Sequence, residues 1–269
     1  MRDLDPLRRH LQSLGRVLLG YSGGVDSALL AVVGRRALGP DRFLAVVGRS
    51  ASYPEAQWRS AVALALEYEV PLLAVDTAEL ADPRYLANPT NRCYFCKSEL
   101  WARLGDVARS RGFDVIIDGT NADDLGEHRP GVGAAGARGV RSPLAELRWT
   151  KADVRQASRA LGLPTWDAPA APCLSSRVVY GLEITPRRLR QVEDGEAYLR
   201  SLGVTGDLRV RHHGDHARLE VSPDQMPRIR EAWAAVATFF SGLGFAGVEL
   251  DPAGYRRGGL LALAPRAPA

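Results

Sequence analysis

Cysteine is scarce in this chain, which has three cysteines among its 269 residues. The chain begins Met1-Arg2-Asp3 without the pattern of an export signal, so an odd cysteine count argues against a disulfide framework. Long apolar runs are also lacking, because none approaches the roughly 18 residues that a membrane-spanning helix needs. We therefore expect a cytoplasmic protein whose thiols stay reduced and which has no membrane partner.

Neither sign of charge dominates the sequence. Lys and Arg number 35 and Asp and Glu number 31, which gives a net charge of +4. An excess this small does not indicate nucleic-acid binding on its own, although it leaves anionic metabolites or a modest RNA contact open. Hydrophobic residues make up 46% of the chain, enough for a core, and the length allows one large domain or two smaller ones.

The most informative stretch is SGGVDS at residues 22–27. It follows an apolar run at 17–19 and precedes a helical pattern, which indicates a turn between a strand and a helix. The two glycines let backbone N–H groups approach an anion, the helix N-terminus adds partial positive charge, and the two serines add hydroxyl donors. Asp26 would repel a phosphate directly, so its useful role is to hold Mg²⁺ against the phosphate oxygens.

This segment has neither the Lys and spacing of a Walker A loop nor the GxGxxG pattern. It resembles the pyrophosphate loop (PP loop) of ATP pyrophosphatases, which cleave ATP to AMP and pyrophosphate while adenylating a substrate oxygen. The alternative is an ordinary glycine turn. The resemblance implies ATP and Mg²⁺ as cofactors, and the residues predicted to bind ATP or pyrophosphate are Ser22, Gly23, Gly24, Val25, Asp26 and Ser27.

Short apolar runs alternate with helical patterns through the first 150 residues. Runs at 17–19, 43–47, 70–75 and 114–117 are typical of parallel strands that are covered on both faces. Residues 139–144 predict a fifth strand, which Pro143 confines to an edge of the sheet. We therefore predict an α/β fold with a parallel, five-stranded, doubly wound sheet, and the PP-loop resemblance implies that this sheet is of the adenine nucleotide alpha hydrolase type.

The predicted fourth strand leads into DGTNADD at residues 118–124. Ligands of open parallel sheets bind beyond the carboxyl ends of the strands, so this turn and the PP loop are expected to flank one crevice. Asn121 is predicted to contact adenine, and Asp124 to share Mg²⁺ with Asp26. The alternative is that Asp123 and Asp124 cap the next helix.

The pattern changes after the proline-rich segment 166–172. Beyond it the sequence predicts a helix from Thr185 to about Leu202, a hairpin near 208–221, a helix to about Phe240, and strands near 246–250 and 259–263. We predict a PP-loop domain at residues 1–170 and a smaller α+β domain at residues 171–269, the latter for substrate binding and assembly.

The three cysteines lie in two motifs, a CxxC pair at Cys93 and Cys96 and the segment around Cys173. Four interpretations compete: a structural zinc site, a redox pair, unrelated thiols, or an iron–sulfur cluster on three thiolates with one iron open. Zinc would take its fourth ligand from one of five histidines, none of which stands in a CxxH arrangement. The segment 212–216, HHGDH, is typical of a hairpin turn rather than of a metal site.

Together with SGGVDS and GTNADD, the two cysteine motifs resemble the LarE family over nearly the whole chain. The resemblance implies adenylation of the carboxylates of a pyridinium mononucleotide and their conversion to thiocarboxylates for the nickel-pincer cofactor of lactate racemase. Some members sacrifice the sulfur of one cysteine, at the position of Cys173, whereas others bind a 4Fe–4S cluster through three cysteines. Because this chain has Cys93, Cys96 and Cys173, the resemblance implies the cluster type, with these three residues as the catalytic group.

The chemistry also fits the residue types. A carboxylate is a poor acceptor for sulfur because oxide would have to leave, whereas adenylation makes AMP the leaving group. An anionic substrate favours bidentate arginines, and the alternative for Arg209 and Arg211 is a solvated strand face. The residues that the resemblance places near the substrate phosphate are Ser176, Arg177, Glu196, Arg209 and Arg211. It further implies a homo-oligomer, hexamer or dimer, and leaves room for a sulfur donor protein.

Three other functions fit part of the sequence. A tRNA thiolase also combines a PP loop with cluster cysteines, but this chain has no strong basic stripe and no recognisable RNA module. An ammonia-dependent amide ligase of the NAD synthetase kind leaves the cysteines unexplained. A nucleotide-sensing module would not need Asp26, Asp124 and the cysteines together.

Overall fold

The computed structural model describes residues 2–126 and 130–256, which divide into two compact units. The first unit contains the described residues of 2–50, 55–79 and 93–171, and the second contains 51–54, 80–92 and the described residues from 172 onward. The chain thus contributes two short segments of its first half to the second unit. Within the described residues, no helix is both long and apolar enough to cross a membrane.

Helices and strands alternate through the first part of the chain. In chain order the elements are α1 (Asp5–Ser13), β1 (Val17–Gly20), α2 (Val25–Leu38), β2 (Phe43–Arg49), α3 (Glu55–Glu67), β3 (Leu72–Asp76), α4 (Pro83–Leu86), α5 (Arg92–Arg111), β4 (Val115–Ile117), α6 (Pro130–Gly136), α7 (Pro143–Glu146) and α8 (Lys151–Ala160). A 3₁₀ turn at Ala122–Gly126 follows β4. Of these elements, α4 and the first residue of α5 belong to the second unit.

The sheet of the first unit has the strand order β3-β2-β1-β4, and every strand pair is parallel. Both faces of the sheet are buried at the central strands β1 and β2. Leu19 and Ala45 pack with the apolar side of α2, whereas Leu18 and Val46 pack with Trp101 of α5. The predicted parallel, doubly wound α/β fold is therefore confirmed, because strands that are buried on both faces require apolar residues at consecutive positions.

The prediction of a fifth strand at residues 139–144 is wrong. Among the described residues of the first unit, the sheet has four strands. Only Arg141 bridges the edge strand, where its N–H donates to Ile116 O and its O accepts from Asp118 N, both at 2.9 Å. Two residues later Pro143 begins α7. Proline has no N–H to continue a ladder and suits the first turn of a helix, so the strand is limited to this single bridge.

The second unit is built on a smaller sheet with the order β5-β6-β7. Its elements after residue 172 are a 3₁₀ turn (Leu174–Arg177), α9 (Pro186–Ser201), β5 (Leu208–His212), β6 (His216–Val221), a 3₁₀ turn (Pro223–Gln225), α10 (Met226–Glu231), α11 (Trp233–Gly242) and β7 (Gly247–Leu250). Strands β5 and β6 form the predicted antiparallel hairpin, and β7 runs parallel to β6.

Two details of this unit differ from the sequence-based expectation. The helix predicted to run to about Phe240 is divided into α10 and α11, because Ala232 between them leaves helical geometry at φ −94° and ψ 12°. The strand expected near 246–250 is present as β7. The strand expected near 259–263 lies outside the described residues.

Candidate active site

The PP loop connects the end of β1 to the start of α2. Gly23 has φ +71°, a backbone conformation that glycine adopts without steric cost. Gly24 is the N-cap residue of α2, so the first backbone N–H groups of this helix point toward the loop. The loop therefore has the architecture of an anion site: a left-handed glycine followed by the positive end of a 14-residue helix.

The two serines of the loop hold each other in place. The hydroxyls of Ser22 and Ser27 are 3.1 Å apart, and Ser27 Oγ also accepts a hydrogen bond from Ser22 N at 3.2 Å. Ser27 Oγ donates to Gly24 O at 3.1 Å. These bonds fix the positions of the two hydroxyls within the loop, and their contact with phosphate stays a prediction.

The loop that follows β4 packs directly against the PP loop. A Cβ atom on Gly119 would lie 3.0 Å from Ser27 N and 3.2 Å from Asp26 Cβ, so any larger residue here would push the two loops apart by a few tenths of an ångström. Asn121, which is 1% exposed, donates from Nδ2 to Asp26 Oδ1 at 3.1 Å. The structure thus brings the two loops together, as their places at the carboxyl ends of adjacent parallel strands predict.

Asn121 and the aspartates after it have structural bonds of their own. Asn121 Oδ1 accepts from Asp123 N at 3.0 Å, and Asp124 Oδ2 accepts from Asn121 N at 3.1 Å. Asp123 Oδ2 accepts from Lys151 N, at the start of α8, at 2.8 Å. Asp123 thus caps α8 rather than the next helix along the chain, and Asp124 bonds back to the residue that precedes the 3₁₀ turn. The adenine contact of Asn121 and the Mg²⁺ role of Asp124 stay predictions.

Lys151 is a site residue that sequence reasoning missed. Its Nζ lies 2.5 Å from Asp26 Oδ2, although the two residues are 125 positions apart. Lys151 is the first residue of α8, which begins with a capping box between Thr150 and Asp153. A cation at the positive end of a helix is unfavourable unless a nearby anion compensates its charge. A lysine at the first position of α8 was therefore the sequence signal for such an anion.

The predicted substrate-phosphate residues form a buried cluster in the second unit. Arg177 makes a bidentate pair with Glu196, at 3.0 and 3.1 Å, and also donates to Cys173 O at 2.9 Å and to Pro172 O. Arg211 pairs with Glu220 at 2.8 Å. Its Nη1 donates to Ser176 O at 2.9 Å.

Burial changes the interpretation of the strand that carries these arginines. Arg209 and Arg211 are each 5% exposed and Arg177 is 4% exposed, so the alternative of a solvated strand face is wrong. Burial, together with the neighbouring Arg177, lowers the pKa of Arg209. The cluster holds three guanidinium groups against the two carboxylates of Glu196 and Glu220, a balance that suits an anionic ligand.

The three cysteines all carry thiols. Cys93 and Cys96 lie in the first turn of α5, Cys93 exposed and Cys96 half-buried. Cys173 is half-buried and stands just before the 3₁₀ turn, where its carbonyl accepts from Ser176 N at 3.0 Å. Within residues 2–126 and 130–256, no three Cys, His, Asp or Glu side chains gather as a metal-holding group, and the shared cluster stays a prediction.

Comparison with known proteins finds similarity that extends over both units. The NAD synthase family profile matches residues 5–104, which include the PP loop. An uncharacterised protein of Synechocystis is 45% identical over 259 residues, or 96% of each chain. The pyridinium-3,5-bisthiocarboxylic acid mononucleotide synthase of Lactiplantibacillus plantarum is 34% identical over 92% of this chain and 90% of that enzyme. The chain belongs to the LarE family.

Membership of the LarE family confirms the resemblance drawn from the motifs. It makes the protein an ATP-dependent, sulfur-transferring enzyme built on a PP-loop domain. The GMP synthase of Symbiobacterium thermophilum is also similar, at 25% identity over 84% of this chain but 51% of that enzyme. This match and the NAD synthase profile each cover only part of a chain, whereas the LarE-family match covers nearly all of both chains.

Proposed function

We propose that this LarE-family enzyme adenylates the carboxylates of a pyridinium biscarboxylic acid mononucleotide and converts them to thiocarboxylates for the nickel-pincer cofactor of lactate racemase. One observation carries the proposal: the similarity to a mononucleotide synthase covers 92% of this chain and so extends through both units. A PP loop alone would support ATP use without indicating which acceptor is activated.

The first unit supplies the activation step. ATP phosphates would bind the N–H groups of Gly23 to Val25 and the hydroxyls of Ser22 and Ser27. A substrate carboxylate oxygen attacks the α-phosphorus, the bond from phosphorus to the pyrophosphate oxygen breaks, and an acyl adenylate forms. Mg²⁺, when bound by Asp26 with Asp124, would neutralise charge on the phosphate oxygens. One or two carboxylates, completed by phosphate oxygens and water, are the usual protein ligands of this ion.

Lys151 adds a positive charge to this proposed site. Its ammonium group contacts the Asp26 carboxylate, so it lies beside the position proposed for Mg²⁺ and pyrophosphate. A positive charge fixed at this point stabilises the negative charge that develops on the departing pyrophosphate. Asn121, bonded to the other oxygen of Asp26, keeps that carboxylate oriented.

The second unit is proposed to receive the anionic mononucleotide. Arg177, Arg209 and Arg211 supply guanidinium donors for its phosphate, with Ser176 beside them. Glu196 orients Arg177 through the bidentate pair. Because these groups are buried and hydrogen-bonded, their positions are fixed before the substrate arrives, which lowers the entropic cost of binding.

The sulfur is proposed to come from a 4Fe–4S cluster held by Cys93, Cys96 and Cys173. Three thiols fit a cluster that leaves one iron open, and the cluster would supply a deprotonated sulfide. Sulfide attack on the acyl carbon breaks the bond to AMP and leaves a thiocarboxylate. In the competing sacrificial route, the sulfur of Cys173 itself is consumed. A sulfur donor protein would reload the site, and a hexamer or dimer is the proposed assembly.

A substrate comparison tests this function. Anaerobically purified and iron-reconstituted protein is incubated with ATP, Mg²⁺ and sulfide, and with either the pyridinium biscarboxylic acid mononucleotide, tRNA or ammonia. We expect AMP and pyrophosphate release only with the mononucleotide, with thiocarboxylate detected by mass spectrometry. Release that depends on tRNA or on ammonia would overturn the proposed substrate.

The cysteine variants separate the two sulfur routes. Cluster delivery predicts that Cys93→Ala, Cys96→Ala and Cys173→Ala each lose iron and sulfur transfer. If Cys93→Ala and Cys96→Ala keep full single-turnover transfer while the wild-type protein loses the mass of one sulfur at Cys173, the sacrificial route is correct and the cluster assignment is wrong.

A further inference from the structure

A side chain of helix α3 reaches the PP loop. Gln57 lies in the first turn of α3, and its Nε2 donates to the backbone O of Ser22 at 2.6 Å. The other polar groups of Ser22 bond within the loop, where its N–H donates to Ser27 Oγ at 3.2 Å and its hydroxyl lies 3.1 Å from the same oxygen. Ser22 is therefore held by Ser27 from inside the loop and by Gln57 from outside it.

A second bond joins α3 to the chain just before the loop. The hydroxyl of Tyr21 donates to Ala61 O at 3.2 Å, and this contact is buried. Ala61 stands four residues after Gln57, so the two anchor points lie one turn apart on the same side of α3. The helix thus fixes the start of the loop at two successive residues, Tyr21 and Ser22.

The bond to Ser22 O also determines where the next N–H group points. The peptide between Ser22 and Gly23 is trans, and in a planar trans peptide the C=O and N–H groups point in opposite directions. Because Gln57 holds the oxygen toward α3, the N–H of Gly23 points away from α3. Among the residues that the structure describes, this N–H donates to no protein group. It is therefore available to a ligand of the loop.

The oxygen of the Gln57 amide shows which half of the side chain the position uses. Oε1 is buried, and within residues 2–126 and 130–256 it has no hydrogen-bond partner. An unpaired buried acceptor weakens the folded state, so the side chain does not serve a fully bonded network. Its donor is the group in use, because an amide nitrogen bonds a carbonyl oxygen whereas an ionised carboxylate cannot.

We propose that Gln57 is a positioning residue of the PP loop, which fixes the Ser22–Gly23 peptide and so directs the N–H of Gly23 at a phosphate of ATP. Gln57 itself does not contact the reacting atoms. Glycine opposes the rotation of this peptide only weakly, so its orientation needs a bond from outside the loop. The inference rests on the proposed function, in which ATP phosphates bind the N–H groups that begin with Gly23.

Two substitutions of similar size test the role of the donor. Gln57→Met removes the donor without adding charge, and we expect about 10-fold weaker ATP binding, the effect of losing one hydrogen bond. Gln57→Glu donates to Ser22 O only while its carboxyl group is protonated. Burial beside a carbonyl oxygen raises the pKa of this carboxyl group above the ordinary value of about 4.3.

The pH profile of Gln57→Glu is the decisive measurement. Titration calorimetry with ATP and Mg²⁺ between about pH 5 and pH 8 gives the affinity of each variant relative to the wild-type protein. We expect Gln57→Glu to approach the wild-type affinity at the acidic end and to lose it as the pH rises, because the ionised carboxylate repels Ser22 O. Gln57→Met stays weak throughout. The ratio to the wild-type protein cancels the titration of ATP itself and of Asp26.

Gln12→Met and Gln12→Glu are the matched controls. Gln12 of α1 also donates from Nε2 to a backbone carbonyl, that of Ala37, at 3.2 Å. Ala37 lies at the opposite end of α2 from the PP loop. The control pair therefore makes the same chemical changes away from the loop, and we expect the wild-type ATP affinity at every pH even where the unfolding temperature falls.

Three outcomes overturn the inference. The first is a wild-type ATP affinity in Gln57→Met, which would assign any loss in Gln57→Glu to its charge alone. The second is a loss in Gln57→Glu that does not change with pH. The third is an equal loss in the Gln12 variants, which indicates general destabilisation. In all three the wild-type protein still binds ATP and the proposed function stands, whereas wild-type protein that binds no ATP removes the proposed function and this inference with it.

Discussion

The ammonium group of Lys151 and the carboxylate of Asp26 form an ion pair in which Nζ and Oδ2 are 2.5 Å apart. The pair joins the first turns of α8 and α2, so both partners stand at the positive ends of helices. The Asp26 carboxylate is favoured in this field and the Lys151 ammonium is not. The free enzyme therefore holds a cation ready at the PP loop before ATP arrives.

Replacing Lys151 tests this arrangement. We expect Lys151→Ala to slow substrate-dependent pyrophosphate release by about 100-fold, the typical effect of removing one group that stabilises developing negative charge. Arg159→Ala on the same helix serves as the control, because Arg159 lies over the ring of Trp166 rather than at the PP loop. Equal rates for Lys151→Ala and the wild-type enzyme would exclude a role for Lys151 in activation.

Gly119→Ala tests the close contact between the two loops. Its new methyl group would approach Ser27 N to 3.0 Å, so we expect the loops to separate at a cost of about 1–3 kcal/mol in unfolding free energy and ATP binding to weaken. Gly136→Ala in α6 is the matched control, since no heavy atom lies within 4 Å of the added methyl. Calorimetric titration of ATP and urea unfolding measure the two effects, and unchanged ATP affinity in Gly119→Ala would contradict the prediction.

Glu196→Ala tests the buried pair with Arg177. Removing the carboxylate leaves a guanidinium with 4% exposure without its bidentate partner, and we expect the unfolding free energy of the second unit to fall by about 3 kcal/mol. Glu249→Ala is the control, because its pair with Arg218 is at the surface and is worth below about 1 kcal/mol. Hydrogen exchange of β5 amides reports on this unit alone, and similar losses in both variants would show that burial does not matter here.

His212 gives the second unit a dependence on pH. Burial lowers the pKa of His212 from its ordinary value of 6.5 to about 4, so between these values the unfolded chain binds a proton that the folded chain does not. Stability is therefore highest above pH 6.5 and falls as the pH drops toward 4, by roughly 1–3 kcal/mol. We expect His212→Gln to flatten this part of a urea-unfolding series, and an unchanged slope in this variant would contradict the prediction.

The sequence predicts the first unit well because its signals are local. Consecutive apolar residues identify the strands, and glycines with hydroxyls identify the loop between β1 and α2. The single bridge at Arg141 was not predictable from the strand pattern, since Pro143 decides how far the ladder extends. Lys151 was missed because its partner Asp26 is 125 positions away, and the one local signal was a cation at the first position of a helix.

In the second unit, sequence patterns could not predict which residues are buried. Alternation along β5 places Arg209 and Arg211 on one face, but alternation does not say whether that face is covered. The structure covers it, and the arginines are buried. The buried side chain of Asn88 was also missed, because an Asn-Pro pair is typical of an ordinary loop. Its amide donates to carbonyl groups about 90 residues away, and no local pattern contains such partners.

Trp101 lies against the last residue of β1, where two of its ring atoms are within 2.8 Å of the position a Cβ would take on Gly20. The indole of Trp101 is 3% exposed. Gly20, which it contacts, directly precedes Tyr21 and the PP loop. We expect a nucleotide that changes the conformation of the loop to change the fluorescence of this ring. A variant that retains Trp101 as its sole tryptophan would turn that change into a stopped-flow measurement of nucleotide binding.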